Sequence, residues 1–273
     1  MDYTFSIKDI DYLEIEGIQL KLRIYRPEVE AKIWVMETHG GAWASNDRTS
    51  NVVLHEALAK AGIGAVGIDF RLSSQAQYPA PLQDITYAIR WFKNYASDMD
   101  IEIKKLGGLG TSSGGQQMGL IALKPNDPEY CLPAPELSNV DPSIDFFAAC
   151  WPILDPLARY HMAHDRGNQR LVNNHRKYFK NEAAMERANP YRLLTRGEET
   201  HRPPAMIIQG TADDNVNHEW QDAFAEKYIA AGGDCLVHKF EGQPHTFATK
   251  NSDDPQSKSA LRKLQDFVSA QMN

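Results

Sequence analysis

The chain has 273 residues, of which 42% are hydrophobic, and it carries a formal net charge of −7. The lack of a basic surplus argues against a nucleic-acid partner, because nucleic-acid binding proteins neutralise phosphates with lysine and arginine. No apolar run approaches the ~20 residues that span a bilayer, and the first residues lack the basic and then apolar segments of a secretory signal. We therefore expect one cytoplasmic domain over residues 1–273, with no nucleic-acid or membrane partner and with a homodimer left open.

The cysteines and the glycine-rich turns give no sign of a bound group. Cys131, Cys150 and Cys235 cannot all pair and lack the spacing of metal ligands. For most of them, burial as small apolar side chains is the better interpretation. The sequence has no glycine-rich phosphate loop and no dinucleotide fingerprint, so we expect no cofactor and no metal.

Most of the chain alternates between strand and helix patterns. Residues 12–15 and 18–25 alternate in polarity around Glu16-Gly17, which predicts a hairpin. Strand patterns follow at 33–36, 64–68, 106–109, 144–150, 205–208 and 236–240, with helix patterns at 52–61, 82–95 and 116–123. This alternation predicts an α/β fold, with a mostly parallel sheet covered by helices on both faces. In such folds ligands bind beyond the carboxyl ends of the strands.

One segment breaks the alternation. Residues 155–202 show no clear strand, and so long a stretch in a compact domain is typically a lid or a binding element. We predict a mostly helical cap over the strand ends. The segment holds ten Lys and Arg against six Asp and Glu, the reverse of the whole chain. A basic cap could favour an acidic substrate, although a solvated helical surface is the simpler interpretation.

Two glycine-containing motifs fall where predicted strands end. Gly110-Thr111-Ser112-Ser113-Gly114 places a serine on a sharp strand-to-helix turn, where a side chain at either outer glycine would collide with backbone. The earlier His39-Gly40-Gly41-Ala42-Trp43 follows the strand at 33–36. Its glycines leave backbone N–H groups unhindered, so these can face a negative oxygen that develops in a transition state.

An acid and a histidine follow the last two strands. Asp213 lies in Gly-Thr-Ala-Asp-Asp-Asn-Val, and His245 ends Gly-Gln-Pro-His. A serine hydroxyl needs a base to take its proton, histidine titrates in the right range, and a carboxylate fixes the histidine tautomer. The order Ser112, Asp213, His245 differs from the two well-known serine protease orders. Asp214 is the alternative acid.

Taken together, these motifs resemble the α/β-hydrolase superfamily, in particular its esterase branch with an HGG-type oxyanion motif. That branch includes the hormone-sensitive-lipase-like, the acetyl- and feruloyl-esterase-like and the kynurenine-formamidase-like groups. Residues 42–48, 69–72 and 78–81 are also similar to the family pattern, and the resemblance extends from about residue 12 to the last helix. It implies an α/β-hydrolase fold with a helical cap insertion at about 155–202.

The resemblance also implies roles for the motif residues. Ser112 is the expected nucleophile, His245 the base and Asp213 the acid. An oxyanion hole is expected from three backbone N–H groups, those of Gly41, Ala42 and Ser113.

The expected activity is that of a serine hydrolase that cleaves short- or medium-acyl carboxylic esters through an acyl-enzyme. Ala42 stands where the lipase-like branch often has a third glycine, and this difference argues against long-chain lipids as substrates. The alternative is an arylformamidase that acts on an aromatic N-formyl amide. Trp43, Tyr78 and Trp151 are candidate aromatic walls for the substrate. A catalytically silent ligand-binding protein on the same fold is less well supported, because the Ser/Asp/His set is intact.

Overall fold

The computed structural model describes residues 2–272, which form one eight-stranded sheet and ten α-helices. The strands are β1 (Phe5–Ile15), β2 (Ile18–Pro27), β3 (Ile33–Thr38), β4 (Gly64–Ile68), β5 (Lys105–Thr111), β6 (Phe146–Cys150), β7 (Ala205–Gly210) and β8 (Cys235–Phe240). The helices are α1 (Val52–Lys60), α2 (Ala80–Tyr95), α3 (Ser113–Leu123), α4 (Pro156–Asp165), α5 (Gln169–Phe179), α6 (Glu182–Arg187), α7 (Pro190–Thr195), α8 (Glu219–Ala230), α9 (Phe247–Lys250) and α10 (Pro255–Ala270).

The sheet has the order β1-β2-β4-β3-β5-β6-β7-β8. The first two strands form an antiparallel hairpin, and β2 also pairs antiparallel with β4. Glu16 and Gly17 both have positive φ, the backbone that a two-residue hairpin turn requires. The remaining neighbours are parallel. The predicted mostly parallel sheet is therefore confirmed.

Helices cover both faces of this sheet. Along β3, Trp34 and Met36 belong to one buried apolar cluster, and Ile33 and Val35 belong to the other. Successive side chains of a strand point to opposite faces, which explains this division. The first cluster includes buried side chains of α2, α3 and α8, and the second includes those of α1 and α10. The sheet is thus the middle of three layers.

The segment between β6 and β7 contains four helices, α4 to α7, and no strand in the part of the chain that the structure describes. Each helix begins at a side chain that accepts a hydrogen bond from a backbone N–H in the first turn, and these N-caps are Asp155, Asn168, Asn181 and Asn189. Such caps start helices at defined positions. The caps therefore divide the segment into short helices, which together we call the cap.

Element bounds differ from the predicted ones where the polarity pattern is weak. β1 begins at Phe5 and not at residue 12, and most of its added residues are exposed. As an edge strand it is held by backbone pairing with β2, which leaves no apolar pattern to detect. β6 begins at Phe146 and not at residue 144. Just before it, the Asp145 carboxylate accepts a hydrogen bond from the Leu106 N–H at 2.8 Å.

Candidate active site

Ser112 occupies the tight turn between β5 and α3. Its backbone has φ 50° and ψ −116°, a conformation that typically costs about 1–3 kcal/mol and persists only where the surroundings enforce it. The Ser112 N–H donates to the Cys150 carbonyl at 3.1 Å, and the Ser112 carbonyl accepts from the Gly115 N–H at 3.0 Å. A Cβ at Gly114 would lie 2.0 Å from the Thr38 carbonyl oxygen, so only glycine fits there. The turn holds the serine at the end of the strand.

The structure brings Ser112, His245 and Asp213 into one hydrogen-bonded chain. The Ser112 Oγ lies 3.1 Å from the His245 Nε2, and the His245 Nδ1 lies 2.7 Å from the Asp213 Oδ2. Because a carboxylate accepts only, the Nδ1–H is the donor to Asp213 and Nε2 is left to accept the serine proton. The three residues follow β5, β7 and β8, whose carboxyl ends lie at the same edge of the sheet.

Asp213 is held by more than the histidine. Its Oδ1 accepts from the N–H groups of Asn215 and Val216 at 2.8 and 2.9 Å, and its Oδ2 accepts from the Gln209 Nε2 at 2.9 Å. Burial raises the pKa of Asp213, but the hydrogen bonds from His245 and from these donors outweigh burial and leave that pKa below its ordinary value. The carboxylate is therefore ionised at neutral pH. The alternative acid, Asp214, is exposed and lies outside the chain of hydrogen bonds.

The loop after β3 has an unusual backbone. Gly41, Ala42 and Trp43 have φ of 115°, 51° and 60°, three consecutive positive values. A Cβ at Gly41 would lie 2.2 Å from the Ser45 carbonyl oxygen, so this position requires glycine. The N–H groups of Gly41, Ala42 and Ser113 have no hydrogen-bond acceptor within residues 2–272. Gly41 and Ala42 line the same cavity as Ser112.

Both residues that flank Ser112 hold this loop in place. The Thr111 Oγ1 accepts from the Gly40 N–H at 2.8 Å, and the Ser113 Oγ accepts from the Trp43 N–H at 3.2 Å. The turn that carries the serine thus also fixes the loop that carries the free N–H groups. Sequence reasoning assigned a role to the Ser113 N–H and none to its hydroxyl.

A buried polar cluster lies beneath the two loops and was missed by sequence reasoning. Asn51 Nδ2 donates to the Glu37 Oε1 at 2.8 Å and to the Thr111 Oγ1 at 2.9 Å. The other Glu37 oxygen lies 3.2 Å from the His55 Nε2. A buried polar network of this kind is rigid only when its members are satisfied together. The available signal was a glutamate inside the otherwise apolar strand that precedes the His-Gly-Gly motif.

His39 stabilises the loop and stays out of the hydrogen-bonded chain. Its Nδ1 donates to the Gly40 carbonyl at 2.7 Å, and its ring stacks on Phe70 at a centroid distance of 4.3 Å. Burial lowers the pKa of His39, so the ring is neutral. A neutral, packed imidazole with this geometry suits a structural role.

The three aromatic residues that were predicted to contact substrate lie in different parts of the structure. Trp151 lines the cavity, with its ring 6.2 Å from that of His245. Trp43 is 2% exposed, donates from Nε1 to the Gln116 Oε1 at 3.0 Å and stacks on Tyr178. Tyr78 is 5% exposed and also packs on Tyr178. Trp43 and Tyr78 are therefore buried between the body and α5 of the cap, and the structure does not bring them to the cavity.

The cavity itself has a volume of 220 Å³, below the about 300–1,000 Å³ of typical ligand sites. Its polar residues include several that sequence reasoning did not single out: Asn46, Asn51, Arg159, Arg170, Asn215 and Thr246. Arg159, Arg170 and Leu171 come from the cap, which therefore closes one side of the cavity. Local sequence patterns gave no sign of these cap residues, because their position depends on how the cap packs on the sheet.

Residues 2–272 contain neither a group of metal ligands nor a membrane-spanning helix. No three His, Cys, Asp or Glu side chains are grouped as metal ligands. No helix in that range is both long and apolar enough to cross a membrane. Cys131, Cys150 and Cys235 are free thiols, and burial raises the pKa of Cys235 to about 12.

The chain is similar to esterases in sequence. A model of the BD-FAE family matches residues 22–228. Esterase LipC of Mycobacterium tuberculosis is 26% identical over 200 residues, which cover 70% of this chain and 47% of LipC. An arylesterase of Saccharolobus solfataricus is 23% identical over 243 residues, which cover 86% of this chain and 75% of that protein. The match thus spans about half the length of LipC.

Solved structures of esterases share the fold. The propionate-bound esterase 2 of Thermogutta terrifontis superimposes with a TM-score of 0.75 at 26% identity, over 97% of this chain and 94% of that one. The same esterase phosphoramylated by tabun gives a TM-score of 0.77 at 24% identity, over the same shares of the two chains. The α/β-hydrolase fold expected from the sequence is confirmed.

Proposed function

The chain belongs to the BD-FAE family, and we propose that it is a serine hydrolase that cleaves short- or medium-acyl carboxylic esters through an acyl-enzyme. The observation that carries this proposal is the hydrogen-bonded chain from Ser112 through His245 to Asp213. The same cavity contains Gly41 and Ala42, whose N–H groups have no acceptor within residues 2–272. Relatives named as esterases support ester bonds as the substrate class.

In the acylation step, the Ser112 Oγ attacks the ester carbonyl carbon while the His245 Nε2 takes the hydroxyl proton. Asp213 stabilises the imidazolium that results, because its ionised carboxylate lies 2.7 Å from the His245 Nδ1. The carbonyl oxygen becomes an oxyanion, which accepts hydrogen bonds from the free N–H groups of Gly41, Ala42 and Ser113. Collapse of the tetrahedral intermediate breaks the bond to the alkoxy group, and the His245 Nε2–H protonates the leaving alcohol.

In deacylation, a water molecule takes the place of Ser112 as the nucleophile. The His245 Nε2 takes a proton from a water molecule whose oxygen attacks the acyl carbon on Ser112. The second tetrahedral intermediate uses the same three N–H donors. When it collapses, the bond to the Ser112 Oγ breaks, His245 returns the proton to that oxygen, and the carboxylic acid leaves.

The dimensions of the cavity support the short end of the acyl range. At 220 Å³ it is small, and the indole of Trp151 and the methyl group of Ala42 lie against it. The propionate bound in the Thermogutta esterase also supports a short acyl group. Long acyl chains would need a longer channel than this cavity supplies.

Pre-steady-state kinetics on p-nitrophenyl esters from acetate to decanoate test the proposal. We expect a burst of p-nitrophenol with the short esters, because acylation is faster than deacylation for an activated ester. Ser112→Ala should abolish the burst, and Ser113→Ala, its matched control, should retain it at a lower rate. Absence of turnover in the wild-type protein with every ester would contradict the proposal.

An arylformamidase activity is the alternative, supported by the indole of Trp151 in the cavity wall. The same Ser112, His245 and N–H groups would act on an N-formyl group. N-formylkynurenine belongs in the same assay for this reason. A kcat/KM for it that exceeds the values for all esters would establish the alternative in place of the esterase.

A cytoplasmic location and a small-molecule partner complete the proposal. Free thiols at all three cysteines suit a reducing compartment. The net charge of −7 supports the absence of a nucleic-acid partner. A homodimer stays a prediction, which light scattering of the purified protein can test.

A further inference from the structure

We infer that the ester accepted at this site carries a carboxylate group, which the guanidinium groups of Arg159 and Arg170 bind. The inference rests on the proposed function and narrows its substrate class. It comes from the electrostatics of the cavity wall formed by the cap.

The cavity around Ser112 is cationic although the protein is acidic. Arg159 and Arg170 line it, while no Asp or Glu of the described residues 2–272 does. The whole chain has a net charge of −7, so a wall with two positive charges and no negative one departs from the average surface. Narrow clefts lined by one sign of charge concentrate ligands of the opposite sign.

Arg159 is a buried cation with no carboxylate in contact among residues 2–272, and the charge of Asp213, which is paired with His245, acts on it from a distance. Its side chain lies on α4 and is 1% exposed, and among residues 2–272 it forms no ion pair. Its Nη2 donates to the Asn215 Oδ1, and its Nε donates weakly to the Asn215 carbonyl at 3.4 Å. Burial lowers the pKa of Arg159 to about 10, so the group is still charged at neutral pH. Buried charges are ordinarily paired, because desolvation is costly.

Among the described residues 2–272, the remaining edge of that guanidinium has no acceptor. The Arg159 Nη1 lies 3.4 Å from the His175 Nδ1. That Nδ1 lies 2.8 Å from the Leu171 carbonyl, which can only accept, so Nδ1 carries the proton and donates. Burial lowers the pKa of His175 to about 3, so the ring is neutral with its single proton on Nδ1, and a protonated Nδ1 cannot accept from Arg159. A carboxylate in the cavity would supply the missing acceptor.

Arg170 adds a second positive charge at the mouth of the cavity. It lies in the first turn of α5, is exposed, and forms no ion pair within residues 2–272. Its charge is close enough to that of Arg159 to contribute to lowering the Arg159 pKa. Two neighbouring guanidinium groups repel each other, and an anion between them would offset that repulsion. Carboxylates match guanidinium donors in geometry, and such charge-assisted hydrogen bonds are strong.

A purely structural role explains only part of this arrangement. Through Asn215, Arg159 connects α4 to the loop whose N–H at Asn215 holds the Asp213 carboxylate. That contact accounts for Nη2 and Nε. It does not explain why the Arg159 Nη1 lacks an acceptor within residues 2–272, and it does not explain the position of Arg170, which does not hydrogen-bond to Asn215. The free edge and the exposed arginine are the features that an anionic ligand would use.

The small cavity limits the distance between the two ends of the substrate. Ser112 and both arginines line the same 220 Å³. The reacting carbonyl and the carboxylate must therefore be a few bonds apart. Half-esters of short dicarboxylic acids and O-acyl derivatives of short hydroxy acids satisfy this requirement, with the carboxylate on the acyl or on the alcohol side.

Matched pairs of charged and neutral esters test the inference. On the acyl side, p-nitrophenyl hydrogen glutarate is compared with p-nitrophenyl valerate, and on the alcohol side, O-acetylglycolate with its methyl ester. We expect kcat/KM for the charged member of at least one pair to exceed that of its neutral partner by about tenfold or more. This selectivity should weaken as salt is added, because Arg170 is exposed to solvent.

Variants of α5 provide the control. Arg170→Gln should reduce the charged-to-neutral ratio by about tenfold, and Arg170→Glu should reduce it further. Lys177→Gln removes the same charge from an exposed position of the same helix, outside the cavity, and should leave the ratio within about twofold of the wild-type value. Equal kcat/KM for both members of both pairs, unchanged in Arg170→Gln, would overturn the inference.

The outcomes separate this inference from the proposed function. A Ser112-dependent burst with neutral esters and no preference for charged ones leaves the esterase standing and removes the carboxylate site. If no ester is hydrolysed, calorimetric titration with glutarate decides the matter. Binding that Arg170→Gln weakens would support the anion site alone, and absence of binding would overturn both.

Discussion

The sheet and the cap contribute to the same cavity in different ways. The groups proposed to perform the chemistry follow β3, β5, β7 and β8, where glycines and backbone hydrogen bonds fix them. The cap contributes Arg159, Arg170 and Leu171 of α4 and α5, and within residues 2–272 neither arginine forms an ion pair. The strand ends thus contribute groups that the backbone holds in place, and the cap contributes positive charge.

This difference predicts that reactivity and selectivity respond to different substitutions. Changes at the strand ends should lower turnover of all esters alike, because every ester uses the same nucleophile and N–H donors. Changes in the cap should alter which ester is preferred.

Asp213→Asn should lower kcat for every ester by about 10⁴-fold, because an amide cannot keep the His245 tautomer that accepts the serine proton. Asp214→Asn is the matched control one residue along, at an exposed carboxylate that does not contact the histidine. It should change kcat by less than about threefold. Steady-state kinetics on p-nitrophenyl butyrate measure both. Similar losses in the two variants would argue against Asp213 as the acid.

Gly41→Ala should lower kcat by about 10²–10³-fold, the typical loss of an oxyanion donor. The new Cβ would lie 2.2 Å from the Ser45 carbonyl oxygen, so the loop must move. Gly197→Ala is the control in the cap. Its φ is also positive, 66° against 115° at Gly41, but nothing lies within 4 Å of the added Cβ, so the substitution should cost stability and leave kcat unchanged. Equal kcat losses would show that strain alone explains the effect.

Ser113→Ala should lower kcat by about tenfold with KM nearly unchanged. The Trp43 N–H loses its acceptor at 3.2 Å, and an unsatisfied buried donor costs about 1–3 kcal/mol. Because the loss falls on the loop after β3 that carries the proposed oxyanion donors, charged and neutral esters should be affected equally, unlike in Arg170→Gln. The exposed Ser138→Ala serves as control. A rise in KM at constant kcat would indicate that Ser113 contacts substrate in the ground state.

His175 should make the stability of the protein depend on pH through the cap. In the folded state its pKa is about 3, and its ordinary value is 6.5. Below pH 6.5 the unfolded chain therefore binds a proton that the folded protein does not, and the free energy of unfolding should fall by up to about 1.4 kcal/mol per pH unit. This stabilisation is fully present above pH 6.5.

Chemical denaturation at pH 7.5 and pH 5 measures this effect. His175→Phe keeps a ring in the aromatic contacts and should lose less stability than the wild type between the two pH values. The exposed His161→Gln should behave like the wild-type protein. An identical pH dependence in His175→Phe and the wild type would show that His175 is not buried as described.

The comparison of the two regions also explains what could be predicted from the sequence. The residues that follow the strands lie in short local motifs, so Ser112, Asp213 and His245 could be identified as a set. The structure places them within hydrogen-bond distance of one another. The parallel sheet followed from the alternation of strand and helix patterns. Glu37 and Asn51, beneath the loops, were missed because a single polar residue in a strand does not indicate its partner.

In the cap, sequence reasoning identified helical content and basic charge but no contacts. Nothing in the periodicity of α5 indicates that Arg170 lines the cavity while Lys177 does not. The two predicted aromatic walls that the structure does not bring to the cavity, Trp43 and Tyr78, show the same limitation. Both pack on Tyr178 of α5, a contact that depends on how the cap lies on the sheet.

Trapping of the acyl-enzyme tests the central claim most directly. The protein is quenched in acid during turnover of p-nitrophenyl propionate, digested, and analysed by mass spectrometry. We expect one propionyl group on the peptide that contains Ser112, and none in the Ser112→Ala variant. Turnover by the wild-type protein with no acyl group on Ser112, or with the group on another residue, would contradict the proposed chemistry.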